Sequence, residues 1–252
     1  MRFHNKAVLV TGASRGIGKV VALQFASEGA NVAVHYNRNR EAAEHVLKSL
    51  PQGAHLLVQA DISDAEESKY LIDTVIEKMG ALDILVNNAG MFIEHRISEC
   101  NYETWQDAWK KTISTNLTGQ SNLLFLAAKY MMQHDGGRIV NVSSRGAFRG
   151  EPDAPAYGAA KAGLNALSQS MAKALAPYNI YITTVAPGWV ATDMAQPYLS
   201  GKNGDDIRKQ SPLGRVARPE EIADVVLFLA EEGHEFITGA IVDINGASYL
   251  RT

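Results

Sequence analysis

Short runs rich in valine, isoleucine and leucine alternate along the chain with longer stretches whose apolar residues recur at helical spacing, and this alternation limits the possible folds more than any other feature. The runs are Ala7–Val10, Val32–Tyr36, His55–Gln59, Leu82–Val86, Arg138–Val142, Tyr181–Val185 and Ile241–Ile244. They lack a strict apolar–polar alternation, as expected of strands buried on both faces. Between them, helical patterns run over Ile17–Glu28, Arg40–Leu50, Ala65–Met79, a long stretch from about Thr104 to Met132, Pro155–Ala176 and Pro219–Glu231. Strand and helix in turn predict an α/β fold: a doubly wound, Rossmann-type parallel sheet of about seven strands with helices on both faces. A chain of 252 residues, 46% hydrophobic and without internal repeat or low-complexity linker, is expected to form one domain over residues 1–252.

Charge and composition remove several classes of function. A formal net charge of −3 and the absence of a basic run give no electrostatic case for binding nucleic acid. The start, MRFHNKAVLVTG, passes from a short polar lead straight into a strand and reads as a mature N-terminus; with no long apolar segment elsewhere, no membrane role is expected. The single cysteine, Cys100, has no intramolecular partner, which suits a reducing compartment and a cytoplasmic location. The 7 histidines include no HExxH or Cys/His cluster, so no metal site is expected.

The first run enters Thr11-Gly12-Ala13-Ser14-Arg15-Gly16-Ile17-Gly18 and then a helix. Glycines permit a tight turn and let backbone approach a phosphate, and the helix N-terminus offers free N–H groups. Such a turn serves a dinucleotide pyrophosphate or a compact strand-to-helix connection, and its place in the first βα unit favours the dinucleotide. At the end of the second run, where a carboxylate would receive the ribose 2′-OH of NAD, the chain has Val34-His35-Tyr36-Asn37-Arg38. Arg38, with Arg15, is suited to a 2′-phosphate, so NADP(H) is the expected cofactor, with NADPH preferred over NADH; the other reading is two solvated surface arginines. Farther on, Asp61 suits the adenine amino group or a turn, and Ser63 with Glu66 has capping-box spacing. The fourth run ends in Asn87-Asn88-Ala89-Gly90, whose small and amide residues let backbone run beside a flat cofactor or make an ordinary turn.

Ser144 to Lys161 holds the chemistry. Tyr157 and Lys161, four residues apart on an expected helix, lie one turn apart on the same face. A free phenol titrates near pH ~10, and a neighbouring ammonium would favour the phenolate, so the pairing suggests a tyrosine with a depressed pKa and Ser144 holding a carbonyl oxygen.

With TGASRGIG, NNAG, Asn116, Ser144, Tyr157-Gly158-Ala159-Ala160-Lys161 and Pro187-Gly188 in order, the chain resembles the short-chain dehydrogenase/reductase superfamily over essentially its whole length. It is similar to the compact type that includes 3-oxoacyl carrier-protein reductases and glucose dehydrogenases. The resemblance implies hydride transfer between a nicotinamide cofactor and a carbonyl or secondary alcohol. Tyr157 would be the acid in reduction and the base in oxidation, and Ser144 would bond the reacting oxygen, selected over Ser143 by its thirteen-residue offset to the tyrosine. Lys161 would lower the tyrosine pKa and hold the nicotinamide ribose, and Asn116 would anchor a proton-relay water. Cofactor contacts are implied at Gly12, Ser14, Arg15, Gly16, Ile17 and Gly18; at Asn37, Arg38, Asp61 and Ile62; at Asn88, Ala89 and Gly90; and at Tyr157 and Lys161. Pro187, Gly188, Val190 and Thr192 would fix the carboxamide, through the Val190 backbone and the Thr192 hydroxyl. By the same resemblance, helices at 104–132 and 155–176 and the segment Phe236–Tyr249 imply a homotetramer.

The substrate is less readable. Met91-Phe92-Ile93-Glu94-His95-Arg96-Ile97 stands where the carrier-protein reductases carry a TRDxxxxRM-like segment, and the stretch from Gly90 to Trp109 is about four residues longer than the resemblance leads one to expect. Gln133-His134-Asp135 and Tyr178 supply no fixed cation for an acidic carrier protein, so that partner is possible but not favoured; Lys129, Arg145 and Arg149 lie nearby in sequence. Residues 190–215 are polar and poorly periodic, as in a mobile substrate flap or a plain surface loop. Tyr198, Trp189, Phe148 and Phe92 are candidate walls of an apolar pocket, and His95 and Glu94 either meet a polar substrate or lie on a solvated loop. The expected activity is that of a 3-oxoacyl thioester or general ketone reductase on a small-molecule substrate. A sugar or polyol dehydrogenase is the alternative within the class, and a catalytically silent dinucleotide-sensing regulator the alternative outside it.

Overall fold

The computed structural model describes residues 1–251. Strands β1 (Ala7–Val10), β2 (Asn31–Tyr36), β3 (Leu56–Gln59), β4 (Ile84–Asn87), β5 (Gly137–Val142), β6 (Ile180–Pro187) and β7 (Ile241–Ile244) form one sheet in the order β3-β2-β1-β4-β5-β6-β7. Every pairing is parallel. The order reverses direction between β1 and β4, and a crevice opens there at the carboxyl ends of the strands.

Alternate residues of the strands feed two cores. On one face Val8, Val10, Val32, Val34 and Val140 pack with Val21 and Phe25 of helix α1 (Gly16–Ser27). On the other, Leu9, Leu85, Ile139 and Ile182 pack with Leu71 and Val75 of α3 (Ala65–Met79), the helix that follows α2 (Arg40–Ser49). A strand buried on both sides has no solvent face, which is why the runs read as continuous valine and isoleucine. Among the described residues no helix is long and apolar enough to cross a membrane.

Three local expectations are corrected. The long helix near 104–132 is α4 (Tyr102–Ile113), a π-helical segment Ser114–Gly119 and α5 (Gln120–Met131). Gly119 lies so close to the chain after β3 that a Cβ would stand 2.2 Å from the Ile62 carbonyl oxygen, and the wider π winding carries the helix past that contact. The cap of α3 is Asp64, accepting from Glu66 N at 2.8 Å and Glu67 N at 3.0 Å; Ser63 instead donates to Asp61 at 2.7 Å, so the capping-box reading is off by one residue. The remaining helices are α6 (Gly146–Arg149), α7 (Pro155–Leu175), α8 (Gln196–Leu199), α9 (Gly204–Lys209) and α10 (Pro219–Ala230). The stretch expected as an irregular flap thus holds α8 and α9, folded over Ala195, Leu199, Ile207, Trp189, Tyr198 and Val216.

Candidate active site

A cleft of about 960 Å³ runs along the carboxyl ends of the strands, from Asn37 and Arg38 after β2 to Ser144, Tyr157 and Tyr198. Of the residues expected there, Gly12, Ser14, Arg15, Gly16, Ile17, Asn37, Arg38, Asp61, Ile62, Asn88, Ala89, Gly90, Ser144, Tyr157, Lys161, Pro187, Gly188, Val190 and Thr192 all line it. Gly18 and Asn116 stand behind its wall. A Cβ on Gly18 would come within 2.4 Å of the Gly12 carbonyl oxygen, so this glycine lets the turn fold back on its own helix.

At the glycine turn, Gly12 and Gly16 have φ of 63° and 55°, the left-handed region that glycine enters without strain. The N-cap residue of α1, Arg15, makes no side-chain cap hydrogen bond among the described residues, so the first N–H groups of the helix point unspent into the cleft mouth. Asn88 proves to be a brace: its Nδ2 donates to the Thr11 carbonyl at 2.8 Å and more weakly to that of Gly12 at 3.3 Å. Thr11 Oγ1 accepts from the N–H groups of Asn88 and Ala89 at 2.9 and 3.0 Å, locking β1 to β4 where the sheet reverses.

His35 was missed by sequence reasoning. Its Nδ1 accepts from Gly12 N at 3.0 Å and its Nε2 bonds the Ala60 carbonyl at 3.0 Å, which fixes the Nε2–H tautomer and ties the turn to the ends of β2 and β3. Burial pushes the imidazole down to about 4, against weaker opposite effects of the Ala60 bond and Asp61, so it is neutral at pH 7. A histidine inside an apolar run was the only signal of this role.

Arg15 and Arg38 are exposed at the cleft and form no ion pair among the described residues. The nearby carboxylate of Asp61 is occupied by Ser63 N and Oγ at 3.0 and 2.7 Å. Partial burial works against its charge, yet these bonds, with Asn37 and Arg38, hold it below the usual aspartate value.

At the other end, Ser144 Oγ accepts from Gly146 N at 3.0 Å and faces the cleft, whereas Ser143 Oγ turns back to the Lys161 carbonyl at 3.3 Å. Lys161 is buried, its Nζ donating to Val142 O at 2.7 Å and standing 5.9 Å from the centre of the Tyr157 ring. The expected lowering of the phenol by this ammonium is not what the geometry gives. Burial pushes Tyr157 up to about 12, with the Ser144 hydroxyl acting in the opposite direction and Glu151 adding to the rise. Burial likewise pushes Lys161 down to about 8. Both groups lose water, and the ammonium donates to the Val142 carbonyl rather than to the phenol, so desolvation sets both shifts. The phenol therefore carries its proton at neutral pH.

Asn116, fully buried, uses both ends of its amide on one residue: Oδ1 accepts from Met91 N at 2.9 Å and Nδ2 donates to Met91 O at 2.8 Å. A Cβ on Gly90 would lie 3.3 Å from Asn116 Oδ1 and 3.8 Å from Lys161 Nζ, so the three groups are neighbours. Thr192 Oγ1 lies 3.4 Å from the Val190 carbonyl, and the bridge of Val190 to Ala217 uses Trp189 O and Ala191 N, leaving the Val190 N–H outside the pair.

The substrate end is walled by aromatic rings. Phe92 packs edge-on against Tyr157 at 5.1 Å and against Tyr198 at 6.0 Å, and Tyr198 meets Trp189 at 5.5 Å. Burial, with Glu94 next, pushes the Tyr198 phenol up. Phe148 does not line this cleft; it stacks beneath the Arg251 guanidinium at 4.1 Å. Glu94 does not line the cleft; it is exposed beside Tyr198, in an ion pair with Arg96 at 3.8 Å. His95 neither faces a substrate nor lies in solvent: it is buried, bonded to Ile93 O at 2.8 Å and to Ala156 N at 3.1 Å. Arg145, also missed as a cleft residue, is buried beside Ser144, with Nη2 bonded to Gln210 after α9 and Nη1 without a partner among the described residues.

The chain matches the family model described as "Enoyl-(Acyl carrier protein) reductase" over residues 12–247. It is 38% identical over 247 residues to the 3-oxoacyl-(acyl-carrier-protein) reductase FabG of Staphylococcus aureus, covering 97% of this chain and 98% of that protein. The corresponding protein of Thermotoga maritima is 36% identical over 249 residues, covering 98% of each. A mutant short-chain dehydrogenase/reductase from Serratia marcescens superposes with a TM-score of 0.91 at 32% identity, covering 98% of this chain and 99% of the other. A dehydrogenase/reductase from Sinorhizobium meliloti superposes with a TM-score of 0.89, also at 32% identity, covering 98% and 96%.

Proposed function

Because the chain belongs to the short-chain dehydrogenase/reductase family and is an NAD(P)-dependent oxidoreductase, we propose that it reduces a ketone to a secondary alcohol with NADPH, a 3-oxoacyl thioester or similar ketone being the substrate. The observation that carries this reading is the lining of one cleft: Ser144, Tyr157 and Lys161 at one end, and at the other an uncapped helix N-terminus with two arginines outside any ion pair among the described residues. The residues present fit a dinucleotide. Glycines at positive φ let backbone approach a pyrophosphate, and the α1 N-terminus offers donors and a positive dipole end. Arg15 and Arg38 supply the charge-assisted bonds that a 2′-phosphate takes, and no carboxylate stands at the end of β2 in their place.

A nicotinamide bound in this cleft would supply the hydride that the substrate carbonyl carbon takes up. As the C=O π pair moves onto oxygen, Tyr157 gives that oxygen its phenolic proton, which the half-buried ring, its pKa pushed up by loss of water, holds at neutral pH. Ser144 Oγ–H orients the same oxygen. Lys161, held by Val142 O, places its ammonium behind the phenol, where it stabilises the phenolate left after transfer. Asn116, with both ends of its amide on Met91, holds the loop backbone beside Gly90 and Lys161. Phe92, Tyr198 and Trp189 offer an apolar wall suited to an acyl or ring-bearing ketone, and they exclude water around the reacting oxygen.

The test is a spectrophotometric panel of NADPH and NADH with acetoacetyl thioesters, diketones and sugars. Reduction of the thioester or diketone, with kcat/KM for NADPH at least about tenfold above that for NADH, is the expected result. Turnover confined to sugars would replace the substrate reading with a polyol dehydrogenase. Tight dinucleotide binding with no turnover on any member would replace it with a sensor. Homotetrameric assembly in the cytoplasm belongs to the same proposal, and sedimentation as a monomer would contradict the assembly.

A further inference from the structure

We infer that His95 is a positioning residue for Tyr157, capping the catalytic helix from a distant part of the chain; the inference rests on the reading of Tyr157 as the proton donor. Helix α7 opens Ala154-Pro155-Ala156-Tyr157, and Ala154 has no side chain able to cap it. The first-turn donors can be followed one by one. Pro155 has none, Tyr157 N bonds back to Ala154 O at 2.9 Å, and Ala156 N, buried, donates to His95 Nε2 at 3.1 Å. An imidazole nitrogen thus does what a serine or aspartate at the N-cap would do. The acceptor must be bare, so the ring carries its proton on Nδ1, which donates to Ile93 O at 2.8 Å.

The anchorage extends beyond the ring. His95 N donates to Asp153 O at 2.9 Å, Arg96 Nε pairs with Asp153 Oδ1 at 2.8 Å, and Trp105 of α4 packs against the imidazole at 5.3 Å. At the other end of the same loop, Met91 is held by both ends of the Asn116 amide. Phe92 lies between these two anchors and packs on Tyr157. One imidazole therefore sets the start of the helix bearing Tyr157 and, through Phe92, the ring against which its phenol rests. It lies in the loop that is longer than the family resemblance leads one to expect.

The experiment compares His95→Phe, which keeps a ring but no acceptor, with His95→Gln, whose Oε1 can accept from Ala156 N. We expect folded His95→Phe to lose about tenfold or more in kcat on the ketone that wild type reduces, with NADPH Kd within about twofold, and His95→Gln to recover most of that loss. Unchanged kcat in folded His95→Phe, or His95→Gln no better than it, would overturn the inference. Should His95→Phe fail to fold, His95→Gln against wild type and the ring nitrogen shifts of wild-type His95 decide: a protonated Nε2 in the wild type would overturn the cap. Absence of wild-type turnover on every ketone would overturn the reading of Tyr157 and with it the positioning role, while the tautomer still decides the cap.

Discussion

At the dinucleotide end of the cleft, Gly12, Gly16 and Gly18 lie within a single turn of chain, and Thr11 and Asn88 brace them from the two adjacent central strands. At the other end, Phe92 and His95 from the loop after β4, Arg145 from the turn after β5, Tyr198 of α8 and Gln210 after α9 come together only because the sheet and α7 bring those segments together. The first end is built of backbone donors and glycines and so tolerates few side chains. The second is assembled from side chains whose identities can change with the substrate. Variants at the two ends should therefore separate: one set moves cofactor affinity and leaves kcat, the other does the reverse.

The sharpest break would come at Tyr157. Tyr157→Phe keeps the ring against Phe92 and removes the proton; turnover should fall by about a thousandfold or more while NADPH affinity measured by fluorescence titration stays within about twofold. Near-normal turnover would remove the tyrosine from the chemistry.

Next is acid stability at the dinucleotide end. His35 is bound neutral, with a folded value near 4 against an ordinary 6.5. Between those values the unfolded chain binds the extra proton, so the stability is present above about pH 6.5 and is lost as pH falls toward 4, by about 3 kcal/mol in all. Urea midpoints at pH 7 and 4.5 should differ less in His35→Gln than in wild type.

The arginines separate the cofactors. Arg15→Ala with Arg38→Ala should weaken NADPH by about ten- to a hundredfold and leave NADH nearly unchanged, since each charge-assisted bond to a phosphate contributes about 1.5–3 kcal/mol when desolvated and less at an exposed site. Equal weakening of both dinucleotides would break the NADP reading.

The smallest effect is expected at Arg145, where burial, with Arg149 next, pushes the guanidinium down to about 10 and no carboxylate pairs it among the described residues. Arg145→Met breaks the link to Gln210 and removes a buried charge, so KM for the ketone should change by about threefold with thermal stability kept or raised. A large change in NADPH affinity would show that the two ends are not separable.

The seven strands were legible because burial on both faces leaves a continuous apolar signature, and their ends agree with the sequence reading to within a few residues. The glycine turn and the Ser144–Tyr157–Lys161 set were legible because their chemistry demands fixed residue types at short, fixed spacing. The break at Ser114–Gly119 was not, since helical periodicity continues through a π turn, and the neighbour that Gly119 accommodates there, the Ile62 carbonyl, is more than fifty residues away. Nor was the direction of the Tyr157 shift. Spacing places Lys161 beside the phenol, but only the fold shows how much water both lose and that the ammonium points at Val142 O.

By itself, then, the sequence determined the sheet, the glycine turn and the reaction class, because each depends on short-range patterns of residue type. The tertiary structure decided that Asn88 is a brace, that the buried rings of His35 and His95 anchor the glycine turn and the start of α7, and that loss of water pushes the Tyr157 phenol up. Those outcomes depend on hydrogen-bond partners distant in the chain and on the loss of water, and neither quantity exists until the chain has packed.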